Sequence, residues 1–194
     1  MLISGAQLLG TPVMSLQTGK EIAVTDVAII NPHNLTVIAY RLRGKHLDFD
    51  PAYVRIADVR EIGNIGMIVD SSDELIGEED IVTDKPIYEM SYELQGKLVI
   101  DDRKKKMGKV DDYILDIDSF TIQKVAVHRP LLHSFKDAVL LVHRGQIVEV
   151  TDDCVVIQSG STKHKSKAKD KKSYVNPFRQ STPQPETIKM DDKH

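Results

Sequence analysis

Carboxylates recur in close pairs along the second half of the sequence, and such pairs could bind a divalent cation or share a proton. The pairs are Asp101-Asp102, Asp111-Asp112, Asp116 with Asp118, and Asp152-Asp153. The segment that begins at Asp116 lacks the glycine and the distant glutamate of a calcium loop. Neighbouring aspartates in short turns usually cap backbone amides or face water. We therefore predict no metal site at these pairs.

The histidines and the single cysteine are the other side chains that could do chemistry. The seven histidines are scattered, and only His128 and His133, which flank a proline-containing loop, form a pair that merits a metal test. Cys154 begins the apolar run Cys154-Val-Val-Ile157, which favours a buried structural residue over an activated thiolate. No Ser/His/Asp arrangement, phosphate-binding glycine run or dinucleotide fingerprint occurs in the sequence. We predict a protein that is not an enzyme, with no catalytic residue, cofactor or metal.

An internal repeat organises the elements that carry these residues. When residues 8–71 are laid over 94–159, Leu8, Gly10 and Val13 match Leu94, Gly96 and Val99. Further matches follow in the same order: Val24 with Val110, Asp26 with Asp112, Ile29 with Leu115, Tyr40 with Val127, and Met67 with Val155. Such a pattern indicates a duplicated domain with single insertions in its loops.

Each copy of the repeat has the alternating apolar pattern of short β-strands. The alternation breaks once between Val24 and Val27, which predicts a β-bulge near Asp26. Turn residues such as Thr18-Gly19 and Asn31-Pro-His-Asn34 separate the strands. Five or six short strands in each copy are enough to close a small barrel.

The segment between the copies, residues 73–93, is acidic at first and then places Ile87, Met90 and Leu94 at spacings of three and four. That spacing predicts one or two helical turns, which we expect to pack between the two copies. The predicted organisation is a first domain at 1–72, a linker at 73–93, a second domain at 94–160 and a tail at 161–194.

The repeated motifs resemble the PRC-barrel family. In the first copy they are Leu9-Gly-Thr-Pro-Val13, Gly19-Lys-Glu-Ile22, Val24-Thr-Asp-Val27 and Ile56-Ala-Asp-Val-Arg-Glu-Ile-Gly63. In the second copy they are Gly96-Lys-Leu-Val99, Lys106-Met-Gly-Lys-Val-Asp-Asp112 and Gly145-Gln-Ile-Val-Glu-Val150. The resemblance covers roughly residues 8–160.

The resemblance implies an all-β fold of two small PRC-type β-barrels in tandem. The family includes the cytoplasmic domain of the photosynthetic reaction-centre H subunit and the carboxy-terminal barrel of a bacterial ribosome maturation factor. These barrels dock on other macromolecules, and the family has no common catalytic residues to transfer. The chain has neither the membrane anchor of the first protein nor the amino-terminal domain of the second, so the resemblance does not specify its partner.

Charge divides the chain into an acidic body and a basic tail. Residues 161–194 contain eight lysines and one arginine against four acids, a net charge of +5, which leaves about −8 on residues 1–160 of a chain whose total is −3. Six of these lysines lie in residues 161–172, in a stretch without apolar periodicity, so we predict that the tail is disordered. It could neutralise phosphates on a nucleic acid, lie on an anionic membrane surface, or serve only as a solubilising linker.

Localisation follows from what the sequence lacks. The first residues have neither the basic segment nor the apolar run of a secretory signal, and the single cysteine cannot form an intramolecular disulfide. No apolar stretch approaches the roughly 20 residues that cross a bilayer. We therefore expect a cytoplasmic protein without a transmembrane segment.

Function is predicted as docking: a non-catalytic adaptor that binds a protein partner through the second copy and the tail. The alternatives are an RNA- or ribosome-associated assembly factor that uses the basic tail, and a peripheral adaptor at an anionic membrane surface. Few aromatic residues are available for stacking on RNA bases, which disfavours the first alternative. The candidate partner-binding residues are Arg103, Lys104, Lys105, Lys106, His128, Arg129, Lys163, Lys165, Lys167, Lys169, Lys171, Lys172 and Phe178.

Overall fold

The computed structural model of the chain describes residues 1–81, 84–90, 92–129 and 138–159. The strands of the first part are β1 (Leu2–Ser4), β2 (Pro12–Ser15), β3 (Lys20–Asn31), β4 (Thr36–Arg43), β5 (Ala52–Arg55), β6 (Glu61–Gly63), β7 (Gly66–Val69) and β8 (Leu75–Ile76). The strands of the second part are β9 (Leu98–Asp101), β10 (Lys106–Asp116), β11 (Thr121–Arg129), β12 (Ala138–His143), β13 (Ile147–Val150) and β14 (Cys154–Ile157). Helix α1 (Lys85–Met90) lies between the two sets.

These strands confirm the predicted all-β class. Within the described ranges, fourteen strands form one mixed sheet, whose main path runs β13-β14-β9-β10-β11-β4-β3-β2-β7-β6. The sheet is not closed, since this path ends at β13 and β6. The two copies join within this sheet through one residue pair, Thr36 of β4 with Thr121 of β11. The sequence pattern predicted two closed barrels and left open whether they pack into one unit.

The strand pairing of the first copy recurs in the second. In the first repeat (residues 8–71), β2, β3, β4 and β5 pair antiparallel in succession and β2 pairs parallel with β7. In the second repeat (residues 94–159), β9, β10, β11 and β12 follow the same order and β9 pairs parallel with β14. A short 3-10 helix follows β5 at Ile56–Asp58 and β12 at Arg144–Gln146.

A reciprocal contact joins the two repeats where β4 and β11 begin. The amide of Val37 donates to the carbonyl of Phe120 at 2.9 Å, and the amide of Ile122 donates to the carbonyl of Leu35 at 2.8 Å. Leu35 and Phe120 are both buried, and both have a φ of +51°. The same hydrogen bond made once in each direction, by residues in the same conformation, gives this junction the character of a local two-fold contact.

The hydrophobic core is continuous across the junction. One cluster of buried side chains includes Val13, Tyr40 and Met67 from the first repeat together with Leu115 and Val155 from the second. Strand β1 adds a further link, because it precedes the first repeat in sequence but pairs antiparallel with β10 of the second. We infer that the two repeats are stable together as one packed body.

Several details of the predicted register are confirmed and others are shifted. The register of β3 on β4 shifts between Thr25 and Val27, which confirms the bulge near Asp26. Val13 pairs with Met67 as Val99 pairs with Val155, which confirms those matches.

The match of Asp26 with Asp112 is wrong by one residue, as are those of Val24 with Val110 and Ile29 with Leu115, and the match of Tyr40 with Val127 is wrong by two. The residue skipped at the bulge of β10 is Asp111. The cause is a β9–β10 connection one residue shorter than that between β2 and β3: Ile100 pairs with Lys106, whereas Met14 pairs with Glu21.

The predicted helical turns between the copies exist as α1, but they do not lie between two barrels. Helix α1 packs against the first repeat, where Tyr88 meets Tyr53 edge-on with 5.1 Å between the ring centroids. Its position leaves β4 and β11 free to pair directly at the junction. The linker thus covers one repeat instead of separating two.

A buried tyrosine in the core gives a test of this packing. The Tyr40 side chain is fully buried, and its hydroxyl has no hydrogen-bond partner among the described residues. Tyr40→Phe removes an unpaired polar group, so we expect the free energy of unfolding in urea to rise by about 1 kcal/mol. Tyr40→Ala, which leaves a cavity, should lower it by about 3 to 5 kcal/mol. A loss of more than about 1 kcal/mol in Tyr40→Phe would show that the hydroxyl is paired.

The burial of Tyr40 should also affect how the stability of the protein changes at alkaline pH. Burial raises the pKa of Tyr40 above its ordinary value of 10.0, and the neighbouring Tyr113 raises it further. Because the unfolded chain ionises near the ordinary value while the folded chain resists it, the contribution to stability is complete below pH 10 and falls as the pH rises above it. Tyr40→Phe should therefore lose less stability than the wild type between pH 9 and about pH 11 in a denaturation series.

Candidate docking surface

The outward side of strands β10, β11 and β12 presents a sheet face that we call the outer face of the second repeat. Directly paired residues on neighbouring antiparallel strands share one side of a sheet, so the strand register fixes which residues belong to it. Three rows run across the strands: Lys109, His128 and Val139; Asp112, Ala126 and Leu141; Ile114, Lys124 and His143. Val125, Val127 and Val142 lie on the opposite, buried side.

Each of these positions has a counterpart in the first repeat. On β4, Arg41 pairs with the residue of β3 that follows the bulge, as Ala126 of β11 pairs with the residue of β10 that follows its bulge. Tyr53 of β5 pairs with Arg41 in the same way that Leu141 of β12 pairs with Ala126. Tyr53 and Leu141 are therefore equivalent residues. By the same register, Arg55 corresponds to His143.

The chain itself covers the outer face of the first repeat. Tyr53 is only 6% exposed, because it packs in a cluster with Ile76 of β8, Ile81 and Tyr88 of α1. Strand β8 also pairs antiparallel with the outer edge of β5, where Ile76 is opposite Tyr53. Burial raises the pKa of Tyr53, and the nearby Glu78 carboxylate raises it further, which places an acidic group at the margin of this cover.

The outer face of the second repeat has no such cover among the described residues. Leu141 is 45% exposed and Val139 is 56% exposed. Strand β12 pairs only with β11, so within the described ranges its other edge carries no neighbouring strand. The same sheet position is thus sealed in one repeat and open in the other.

The two faces also differ in how their cations are paired. In the first repeat, Arg41 binds Asp26 at 2.7 Å and Arg55 binds Asp58 at 2.6 Å. In the second repeat, Lys109, Lys124 and His128 form no ion pair with another described residue, and Lys109 is exposed. The face is therefore an apolar strip along β12 beside cations that have no acidic partner in the described part of the chain.

Asp112 is the single acid in the three rows, and its carboxylate accepts hydrogen bonds from the amino-terminal segment. It accepts hydrogen bonds from the hydroxyl of Ser4 and, at 3.2 Å, from the amide of Ala6. These bonds fasten the amino-terminal segment to β10. Asp112 therefore holds the amino-terminal segment on β10, and its carboxylate is outnumbered in the three rows by Lys109 and Lys124.

Some of the predicted partner-binding residues lie near one end of the β10–β11 pair. Lys106 begins β10, His128 and Arg129 end β11, and the guanidinium of Arg129 donates to the carbonyl of Met107 at 3.1 Å. Arg103, Lys104 and Lys105 lie in the exposed turn between β9 and β10. The remaining predicted residues lie outside the described residues: Lys163, Lys165, Lys167, Lys169, Lys171, Lys172 and Phe178.

The charged residues that sequence analysis missed are Lys109 and Lys124. Both belong to alternating strands, where a lysine on the solvent side is ordinary, and no local motif marks them. Their significance depends on the pairing of β10 with β11, which brings Lys109 opposite His128. The sequence did hold one indication: the alternation of side chains along a strand places Lys124, Ala126 and His128 on one side of β11.

Most of the paired acids and the cysteine lie in turns and at strand ends, whereas Asp111-Asp112 lies at the bulge within β10. Asp101 accepts the amides of Arg103 and Lys105 at 3.0 and 2.8 Å, a turn-capping role. Among the described residues, no three His, Cys, Asp or Glu side chains are grouped closely enough to hold a metal ion. Cys154 is only partly buried, with its sulfur 3.5 Å from the Thr151 hydroxyl, so it is less enclosed than its apolar run predicted. His133 lies outside the described residues.

An open cleft of about 700 Å³ lies at one end of the first repeat. Ile22, Leu47 and Phe49 contribute apolar lining, and Arg43 and Asp48 also line it. A mixture of both charge signs does not favour an anionic or a cationic ligand. The outer face of the second repeat, where two lysines lie beside exposed apolar residues, is the stronger candidate.

Comparison of the chain with protein-family models and with curated proteins gives no match. Among the described residues, no helix combines the length and the apolar character needed to cross a membrane.

Proposed function

We propose that the chain is a non-catalytic docking protein built from two PRC-type barrel repeats, and that it binds a protein partner through the outer face of the second repeat. The observation that carries this proposal is the difference between equivalent residues: Tyr53 is sealed by the chain's own linker, and Leu141 is not. Because the chain covers this face in the first repeat and leaves it exposed in the second, the exposed face is available to bind another protein.

The composition of the face supports a protein partner. Val139 and Leu141 would gain from burial, at about 25 cal/mol per Å² of apolar surface removed from water. Lys109 and Lys124 would form a charged margin that selects the partner and speeds its approach. An interface of this kind combines an apolar centre with a polar rim.

An RNA partner is the rival, since cations surround the face. Single-stranded RNA is usually held by aromatic side chains that stack on its bases, together with basic residues that track the phosphates. The three rows of the outer face contain no Phe, Tyr or Trp. The apolar strip on β12 therefore favours a protein surface.

Affinity capture with the immobilised full chain tests the proposal. Leu141→Asp places a charge at the centre of the face and should reduce partner recovery roughly 30-fold or more, as expected for an interface centre. Val148→Asp is the matched control, because Val148 is also an exposed apolar residue of the second repeat, 58% exposed on β13. Capture should survive Val148→Asp and washing at high salt.

Two results would oppose the proposal. Proteins recovered equally by Leu141→Asp and by the wild type would place the interface elsewhere. Recovery of RNA alone, abolished by high salt, would favour the rival, because phosphate contacts weaken steeply as the salt concentration rises.

A further inference from the structure

The first repeat indicates how a partner would bind the outer face of the second repeat, an inference that rests on the proposed docking function. The first repeat shows how an extended segment can cover this kind of face. There the outer edge of β5 receives an extended segment, β8, in antiparallel pairing, with Ile76 opposite Tyr53 and Leu75 opposite Val54. The equivalent edge in the second repeat is that of β12.

We propose that β12 accepts an extended peptide of a partner protein as an added antiparallel strand, and that this peptide carries an apolar pair flanked by acidic residues. The edge of β12 offers backbone donors and acceptors, as in other cases of strand addition. Among the described residues nothing pairs with this edge. Leu141 and Val139 beside it provide the apolar contact.

The acidic character of the peptide follows from charge. The segment that covers the first repeat reads Asp73-Glu-Leu-Ile-Gly-Glu-Glu-Asp-Ile81, an apolar pair between acids. In the second repeat the margin of the face holds Lys109, Lys124 and His128 without acidic partners among the described residues. An acidic peptide would supply the missing counter-charges.

The chain's own sequence makes the tail a poor occupant. Continuing the register of Val69 and Ile157, the positions that correspond to Leu75 and Ile76 are Lys163 and His164. A basic segment opposite a basic face is repelled, and it lacks the apolar pair. Pairing of two β12 strands from two copies would bring no acidic group to Lys109 or Lys124. A partner of the opposite charge is the occupant that the surface fits.

The test uses a fluorescent synthetic peptide with the sequence of residues 73–81, added to the full chain and followed by fluorescence anisotropy. Binding should be retained by Val148→Asp and weakened at least about tenfold by Leu141→Asp. A peptide of the same composition in scrambled order should bind at least about tenfold less well than the native order. Binding unaffected by Leu141→Asp, or equal for both peptides, would overturn the proposal.

Backbone methylation separates strand addition from other modes of docking. An added strand directs every second amide toward β12, so N-methylation at alternate positions of the peptide should weaken binding about tenfold, and methylation between them should have little effect. Binding that lacks this alternation would exclude the added strand.

Two further outcomes are also decisive. Peptide binding that appears only in a chain ending at Gly160 would show that the tail is the natural occupant, and would overturn the inference. Failure of every peptide, while Leu141→Asp still reduces protein capture, would reject strand addition and leave the docking function standing.

Discussion

Replacement of Gly108 by alanine is expected to lower the free energy of unfolding by about 3 kcal/mol or more. Gly108 has a φ of +144°, and a Cβ atom there would lie 2.2 Å from the carbonyl oxygen of His128. Backbone cannot yield as the end of a side chain can, so β10 and β11 would have to separate at this point. That separation would also displace Lys109 from His128 on the outer face.

Chemical denaturation of Gly108→Ala and of Gly96→Ala checks this expectation. Gly96 has a φ of +79°, but nothing lies within 4 Å of a Cβ added there. Gly96→Ala therefore carries only the conformational cost, about 1 kcal/mol. Equal losses in the two variants would mean that β10 and β11 do not approach as closely as the structure shows.

Phe120→Ala is expected to cost about 3 to 5 kcal/mol, and Leu35→Ala about 2 to 5 kcal/mol, because both remove buried side chains at the junction of the repeats. The two residues have equivalent places at the reciprocal contact of β4 and β11. Since the core continues through this junction, probes placed in either repeat should lose structure together in each variant.

Urea unfolding monitored by site-specific probes in both repeats measures this coupling. Leu16→Ala serves as the control, since Leu16 is 61% exposed and its loss should cost less than about 0.5 kcal/mol. A loss below about 1 kcal/mol in Phe120→Ala, or destabilisation confined to one repeat, would contradict a shared core.

Much of the fold was predictable because local patterns encode it. Alternation of apolar residues locates β4, β11 and the other strands, and the single break in that alternation marks the bulge near Asp26. Matching residues across the two copies also predicts that Met67 and Val155 are equivalent, and their pairing with Val13 and Val99 confirms it. Short-range spacing is sufficient for these features.

The junction was not predictable in the same way. Leu35 and Phe120 each lie in a turn, and nothing in the neighbouring sequence indicates that their carbonyls accept amides from the opposite repeat. The pattern within each copy predicted two barrels and left open whether they share one core. Contacts between distant turns depend on how the two copies meet, which the pattern within one copy does not contain.

Only part of the candidate docking surface was predictable from the sequence. The basic character of residues 103–106, His128 and Arg129 was visible in the sequence, but the exposure of Leu141 was not. An apolar residue in an alternating strand is expected to face a core. Only the position of β8 and α1 on the first repeat reveals that its counterpart, Tyr53, is covered by the linker and that Leu141 is left open.

Site-specific photo-crosslinking inside cells tests the docking surface most directly. A photoreactive amino acid at position 141 of the full chain should give a defined crosslinked protein adduct. The same amino acid at Ile65, which is 62% exposed in the turn between β6 and β7 of the first repeat, should not give that adduct. Adducts of the same protein from both positions, or an adduct from position 65 alone, would contradict docking on the outer face of the second repeat.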